Sequence, residues 1–333
     1  MRAAAVQFFA TPFALERNLQ TAERLVREAA SRGAQLIALP ELFNTGYVYA
    51  RRLPLAAEAD DGHTLRWMKQ LSAELDVHLA GTLLLREGAH VYDIFALVEP
   101  NGRIHKYRKQ HPFLWERCYF EEGKEPLVAE TSLGRLGLMV CWDIAFRSTW
   151  DAYRGKVDAL IIASAPPRLH RAVLNFPEAH KVYVAELMPE LAHNRDAIDR
   201  WYFDDVAMGA AYVGAPVVHS VMGGRFVSEI PFPRLSFGLA AMRRPRYVSW
   251  IGRANLATMR ATFYGTSAVF GARGEALARV AGEEGIAMAD VGGAVSAPQD
   301  SMSRSRYFLP GVPDSLPMLD LLWRWLGSNH PRR

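Results

Sequence analysis

Leu136-Gly137-Leu138-Met139-Val140-Cys141-Trp142-Asp143 is an apolar run that ends abruptly on a thiol and a carboxylate. It reads as a buried strand that delivers Cys141 to a strand-to-loop turn at the edge of a sheet. A second such run, Ala159 to Ala163, stops just before Pro166-Pro167. Strand ends of this kind are where open α/β sheets place chemistry.

Outward from that stretch the pattern repeats. Ala3 to Phe8 reads as a first strand, followed by Leu15 to Ala30 with Leu15, Leu19, Ala22, Leu25, Val26 and Ala29 near a helical period, and by a short strand at Leu36 to Leu39 stopped by Pro40. A helix near Leu65 to Leu75, strands at Val77 to Leu85 and Val91 to Val98, and a turn at Pro100-Asn101-Gly102 continue the alternation. The fold class is α/β. Segments 168–202 and 225–262 lack clear strand alternation and read as insertions in a domain spanning 1–295, with 296–333 as a C-terminal extension. Between and after them, Asp204 to Val213 reads as a helix, and Pro216 to Met222, Ser267 to Phe270, Ala276 to Val280 and Ile286 to Val291 as strands.

The bulk properties narrow the function classes. The chain has 333 residues, 50% of them hydrophobic, and a formal net charge of +4 spread over its length, which gives no footing for nucleic-acid binding. Two cysteines, Cys118 and Cys141, do not make a disulfide framework and fit a reducing compartment, so the cytoplasm is expected. No apolar run approaches the roughly 18 residues needed to span a bilayer, so no stable membrane insertion is expected. His170, His180 and His193 lack metal-ligand spacing, and no metal site is expected.

Three residues at strand ends form a chemical set. Cys141 offers a thiol to attack, Glu41 a carboxylate to take its proton, and Lys109 an ammonium to stabilise an oxyanion. Taken singly, each has a plainer reading: a small core hydrophobe, a helix cap or surface acid, and a solvated edge-strand charge.

Leu39-Pro40-Glu41-Leu42-Phe43 with Thr45-Gly46-Tyr47, Tyr107-Arg108-Lys109 with His111, and Gly137 through Cys141-Trp142-Asp143 resemble, in order and spacing, the three catalytic blocks of the nitrilase superfamily of carbon–nitrogen hydrolases. The resemblance implies a four-layer α-β-β-α sandwich, a homodimer or higher homo-oligomer, and a Glu-Lys-Cys triad without metal or cofactor. It also implies a second glutamate between lysine and cysteine. Glu116 in Trp115-Glu116-Arg117-Cys118-Tyr119-Phe120 takes that place and is expected to position the lysine and substrate, with Glu121 as the alternative.

Tyr47, Trp142 and Phe120 flank these blocks and are expected to contact substrate. The Trp142 backbone amide is the natural partner of Lys109 in an oxyanion site. Asp143 stands where nitrile-hydrolysing members typically have Glu, which points to the amidase and carbamoylase branches. The family's Glu-Asn pair before Gly214 is replaced by Tyr212-Val213, and a later Asn by Ser220, so the resemblance names no substrate. Arg168, His170, Arg171, His180, Lys181, Arg243, Arg244 and Arg246 lie in the insertions. They leave open a carboxylate-bearing or larger amide, a solvated face, or a subunit contact. Leu316 to Leu326 is amphipathic and is expected to dock on a partner subunit or, failing that, a membrane surface.

The expected function is cofactor-independent hydrolysis of an amide or N-carbamoyl compound through a cysteine acyl-enzyme. The alternatives are transfer of the same acyl group to another acceptor, nitrile hydrolysis, and a catalytically silent binding protein.

Overall fold

The computed structural model describes residues 1–177, 179–242, 244–282, 284–297, 306–312 and 316–329. One six-stranded sheet runs in the order Gly285–Asp290, Arg2–Gln7, Leu36–Ala38, His78–Glu87, His90–Val98 and Ile104–Arg108. The other runs Ala276–Ala281, Thr266–Phe270, Val217–Val221, Ala159–Ser164, Gly134–Val140 and Val128–Thr131. Each has parallel strands at its centre and antiparallel ones toward its edges.

The two-residue period of the strands sorts their side chains into layers. Ala3 and Ala5 share a core with Leu36, Ala38 and Ala80 of their own sheet and with Leu138 and Ile161 of the other. Ala4, Val6 and Ile37 instead meet Leu19, Ala22, Val26 and Ala29 of the helix Leu15–Ser31, and Leu65 and Met68 of the helix His63–Leu75. Helices Arg147–Tyr153 and Asp204–Val213 cover the outside of the second sheet through Trp150, Tyr153, Val206 and Ala210. Gly209 lets them close, because a Cβ there would sit 2.2 Å from the Trp150 ring. The result is the expected α-β-β-α sandwich.

The segments read as insertions do contain strands. Lys181–Tyr183, Val173–Asn175, Thr258–Thr262 and Arg225–Glu229 pair into a four-stranded antiparallel sheet, flanked by the helix Pro233–Ala241 and a long 3-10 turn, Pro245–Leu256. Two of these strands have only three residues. In a third, Val227 points outward while Ser228 is buried, inverting the alternation that marks a strand.

Ser228 is buried because its hydroxyl accepts a hydrogen bond from the Tyr49 amide at 2.9 Å, which ties this sheet to the loop after Glu41. The helix Leu316–Asn329 docks on the chain's own Leu114–Cys118 turn. Trp323 packs edge-on to Trp115, Asp320 pairs with Arg117 at 2.6 Å, and Met318 and Leu321 stay exposed. Among the described residues no helix is long and apolar enough to cross a membrane.

Candidate active site

Each residue of the set sits just past a strand. Glu41 follows Leu36–Ala38, Lys109 follows Ile104–Arg108, and Cys141 follows Gly134–Val140. The first two strands belong to one sheet and the third to the other, so stacking the sheets brings the strand ends together. Backbone strain concentrates there. Leu42, Leu114 and Cys141 all adopt left-handed φ values, of 48°, 42° and 46°. Such a conformation costs a non-glycine residue on the order of 1–2 kcal/mol, and persists where the surroundings over-determine it. The turn at Cys141 aims the thiol off the end of its strand.

Lys109 is the hub. Its ammonium donates to Glu41 Oε1 and to Glu116 Oε2, each at 2.6 Å, with none of the three side chains more than 1% exposed. Glu41 Oε2 accepts from the Ala165 amide at 2.7 Å, just past the strand Ala159–Ser164. Glu116 Oε2 accepts from the Phe113 amide at 2.6 Å, and its Oε1 accepts from the Tyr47 hydroxyl. The Lys109 carbonyl accepts from the Gly123 amide at 2.7 Å. A Cβ on Gly123 would lie 2.2 Å from the Arg108 carbonyl oxygen, so only glycine lets that loop clasp the lysine.

Burial alone would lower the Lys109 ammonium, but Glu116 and Glu41 together outweigh it and hold the group well above its ordinary value, firmly charged. Burial raises the Glu116 carboxyl, against the pull of Lys109. The Cys141 thiol is pushed well above its usual range by burial first and by the Glu41 charge second, Lys109 offsetting only part. The resting sulfur is therefore a thiol, and attack requires a base beside it. The Tyr202 hydroxyl lies 3.6 Å from Sγ and is itself held protonated by burial and by the neighbouring sulfur.

Asp143 is a brace. Its carboxylate accepts from the Tyr107 hydroxyl at 2.7 Å, the Val140 amide at 2.9 Å and the His111 amide at 2.9 Å, so one side chain locks the loop after Lys109 to the turn after Val140. Burial nevertheless raises it to about 6. Trp142 is the second residue of the 3-10 turn Cys141–Ala145, where the first backbone amides have no partner within the turn.

Tyr47 and Trp142 line a cavity of about 290 Å³ whose wall also includes the Cys141 thiol. Phe120 lies elsewhere, beneath Lys109, with the ammonium 5.7 Å from its ring centroid; it is not among the lining residues. Glu121 faces His90 at 3.2 Å and stands apart from the lysine. Tyr212 donates to Asp151 and accepts from Arg147 on the outer helices, while Ser220 donates to the Val6 carbonyl between the sheets.

The insertion cations are largely neutralised. Arg168, His170 and Arg171 converge on Asp199, Arg246 pairs with Glu186 at 2.8 Å, and Arg244 donates to the Glu186 carbonyl. His180 stacks on Trp250, and Arg243 lies outside the described residues. Among the described residues no group of three or more His, Cys, Asp and Glu side chains could hold a metal ion.

Two residues at the site have no counterpart in the sequence reading. Asp93 is buried beside Glu41 and Lys109, its carboxyl raised well above the usual range by burial and by the Glu41 charge. An aspartate inside the apolar strand His90–Val98 was the available signal. Tyr202 carried none, since it sits in a segment without readable periodicity.

Residues 2–183 match the family model described as carbon-nitrogen hydrolase. A nitrilase of Pyrococcus abyssi is 33% identical over 135 residues, covering 39% of this chain and 52% of that protein. An omega-amidase of Xenopus tropicalis is 32% identical over 172 residues, covering 48% and 62%. The chain thus spans between half and two-thirds of the length of these relatives. In fold it is similar to an amidase from Nesterenkonia sp. AN1 with acrylamide added at its active-site cysteine (TM-score 0.61, 19% identity, 87% of this chain and 92% of that one). It is likewise similar to a CN-hydrolase superfamily protein of Xanthomonas campestris with an arsenic adduct in its active site (TM-score 0.61, 18% identity, 89% and 91%).

Proposed function

The chain belongs to the carbon–nitrogen hydrolase family, and from that premise we propose that it hydrolyses the carbon–nitrogen bond of an amide or N-carbamoyl compound through a thioester on Cys141. Glu41 takes the thiol proton as sulfur attacks the carbonyl carbon. Lys109 and the Trp142 amide hold the oxyanion, a role in which preorganised donors are worth on the order of 10²–10³ in rate. Glu41 returns the proton to the departing nitrogen as the carbon–nitrogen bond breaks. It then deprotonates the water that cleaves the thioester, and the proton restores the thiol. Glu116 fixes the ammonium between the two carboxylates and does not touch the reacting carbon.

The observation that carries this reading is the arrangement around Lys109: a charged ammonium 2.6 Å from each of two buried carboxylates, beside a thiol on a cavity wall. The test is ammonia release by the wild-type protein and by Cys141→Ala and Cys118→Ala variants over a panel of amides, carbamoyl compounds and nitriles. Turnover is expected to vanish in Cys141→Ala and to persist in Cys118→Ala. Undiminished turnover without the Cys141 sulfur rules the mechanism out.

A further inference from the structure

Sulfur carries negative charge twice in the reaction above: once Glu41 has taken the thiol proton, and again when water has attacked the thioester and the carbon–sulfur bond breaks. Around Cys141 little is available to meet that charge. The residue is buried, the Lys109 ammonium is bound to two carboxylates at 2.6 Å each, and Glu41 brings a charge of the same sign. A buried anion without donors is costly.

Tyr202 stands at that point. Its hydroxyl lies 3.6 Å from Sγ, and both residues line the same cavity. Among the described residues, the other tyrosines of the lining donate elsewhere, Tyr47 to Glu116 and Tyr264 to the Ile198 carbonyl at 2.6 Å. While sulfur keeps its proton, either atom of the pair can donate; once the proton has moved to Glu41, only the hydroxyl can. A hydrogen bond to an ionised partner is roughly twice as strong as one between neutral groups. The contact therefore strengthens as charge develops, and that difference is what lowers a barrier. Burial first, and the adjoining sulfur second, hold the phenol well above its ordinary range, so it stays a donor and does not compete with Glu41 as base.

The hydroxyl is also held in place. The Tyr202 ring packs 4.8 Å from that of Tyr264 and lies at 27° to His219, 6.3 Å between centroids, with His219 itself bonded to Ser164 at 2.9 Å. On the preceding residue, the Trp201 indole donates to the Pro310 carbonyl at 2.8 Å. A donor mounted this way needs little reorganisation when sulfur becomes charged.

Resting on the thioester reading above, we infer that Tyr202 is a further catalytic residue: its hydroxyl donates to the Cys141 sulfur while that sulfur is an anion, before attack and after the thioester breaks. No proton leaves the phenol. The thiol proton passes to Glu41 and returns to sulfur, and Tyr202 supplies only the hydrogen bond. The segment 168–202 thus contributes a group to the chemistry as well as residues to the cavity lining.

The experiment compares wild-type protein with Tyr202→Phe, which removes the hydroxyl and keeps the ring. Alkylation of Cys141 by iodoacetamide is followed by peptide mapping between pH 6 and 9, with Cys118 in the same samples as reference, and kcat and KM are measured on an amide that releases ammonia. Loss of the donor is expected to raise the pH at which the thiolate forms by about one unit. A more basic sulfur is also the better nucleophile, so alkylation of Cys141 well below that pH is expected to slow by about three- to fourfold, while that of Cys118 is unchanged. In turnover kcat is expected to fall about tenfold with KM unchanged. A ring that only fills space would leave the pH dependence where it is.

A ring-fluorinated tyrosine in place of Tyr202, close to the natural shape and a stronger donor, is expected to shift alkylation of Cys141 to lower pH. That keeps the inference testable even if Tyr202→Phe folds poorly. An unchanged alkylation profile or an unchanged kcat in Tyr202→Phe, or a fluorinated protein indistinguishable from wild type, overturns it. The two readings fail differently. Turnover abolished by Cys141→Ala but untouched by Tyr202→Phe keeps the hydrolase and removes the donor; a shift in Cys141 alkylation in a protein that turns over no amide keeps the donor and removes the hydrolase.

Discussion

At the floor of the site Lys109 stands between Glu41 and Glu116, with 2.6 Å contacts and side chains at most 1% exposed; in the wall above it Arg168 and Arg171 pair with Asp199, and the lining is mostly apolar and aromatic, with Glu190 and His170 among it. The floor comes from strand ends of the two large sheets, and its strained turns at Leu42, Leu114 and Cys141 are held by everything packed around them. The wall comes from a small sheet, short helices and a C-terminal helix docked through Trp323. One region spends its burial on holding charge in a fixed place, the other on shaping a space. Disturbance of the floor should therefore damage chemistry and stability together, whereas disturbance of the wall should alter selectivity at little structural cost.

Lys109→Met tests that contrast most severely. It leaves two buried carboxylates without their cation, so unfolding free energy is expected to drop by about 3–5 kcal/mol, as when one partner of a buried pair is removed. Loss of the oxyanion donor is expected to cut kcat by at least about 10²–10³. Urea unfolding and initial rates check both, and a stable variant with full activity would erase the distinction between the regions.

Gly123→Ala comes next. The new Cβ is forced against the Arg108 carbonyl, and a displacement of about 1 Å at Lys109 is expected to cost on the order of 10² in kcat/KM. A thermal melt alongside the rate separates displacement of the lysine from general unfolding.

A smaller effect should appear in the pH dependence of stability. Burial lowers His219, bonded to Ser164 at 2.9 Å, from 6.5 to about 3. The native state keeps it neutral while the unfolded chain takes up a proton below pH 6.5, so its contribution to stability falls as pH drops from 6.5 toward 3. The slope is at most about 1.4 kcal/mol per pH unit. His111, also lowered to about 3, acts in the same sense; Asp143, raised to about 6, acts in the opposite sense between about 6 and 3.8. His219→Gln should lessen the acid-side loss relative to the wild type, measured by urea unfolding between pH 4.5 and 7. An identical pH profile would show that this histidine titrates normally.

The smallest effect belongs to the wall. Arg246 is exposed and paired with Glu186, and Arg246→Ala is expected to change stability by no more than about 1 kcal/mol and to leave turnover of a short amide unchanged. A loss comparable to that of Lys109→Met would mean that the cap and the floor form one energetic unit.

The same division explains what could be read in the sequence. Glu41 and Cys141 each follow a strand whose apolar run is plain, Lys109 ends the basic strand Ile104–Arg108, and the chemistry of the three is complementary, so the floor is legible in the residues. Even there the residues alone left a core cysteine and surface acids as open readings, and the ordered blocks of a known family decided between them. Asp93 is not legible in the same way, because a lone aspartate in an apolar strand shows neither its depth nor its neighbours.

The wall resisted for other reasons. Its strands are three to five residues long, Val227 and Ser228 face the wrong ways for an alternation argument, and its cavity is lined by residues as distant in sequence as Leu174 and Leu319. The amphipathic C-terminal segment showed that something would be covered. It did not show that Trp323 covers the chain's own Leu114–Cys118 turn, beside the cavity.

The central claim is that the sulfur of Cys141 carries the acyl group during turnover. Wild-type protein mixed with an amide from which it releases ammonia, quenched in acid within the first turnovers and examined by intact mass and peptide mapping, should show an added acyl group with ammonia lost, located on the peptide bearing Cys141. Unmodified protein during demonstrable turnover, or a label on Cys118 instead, would contradict it.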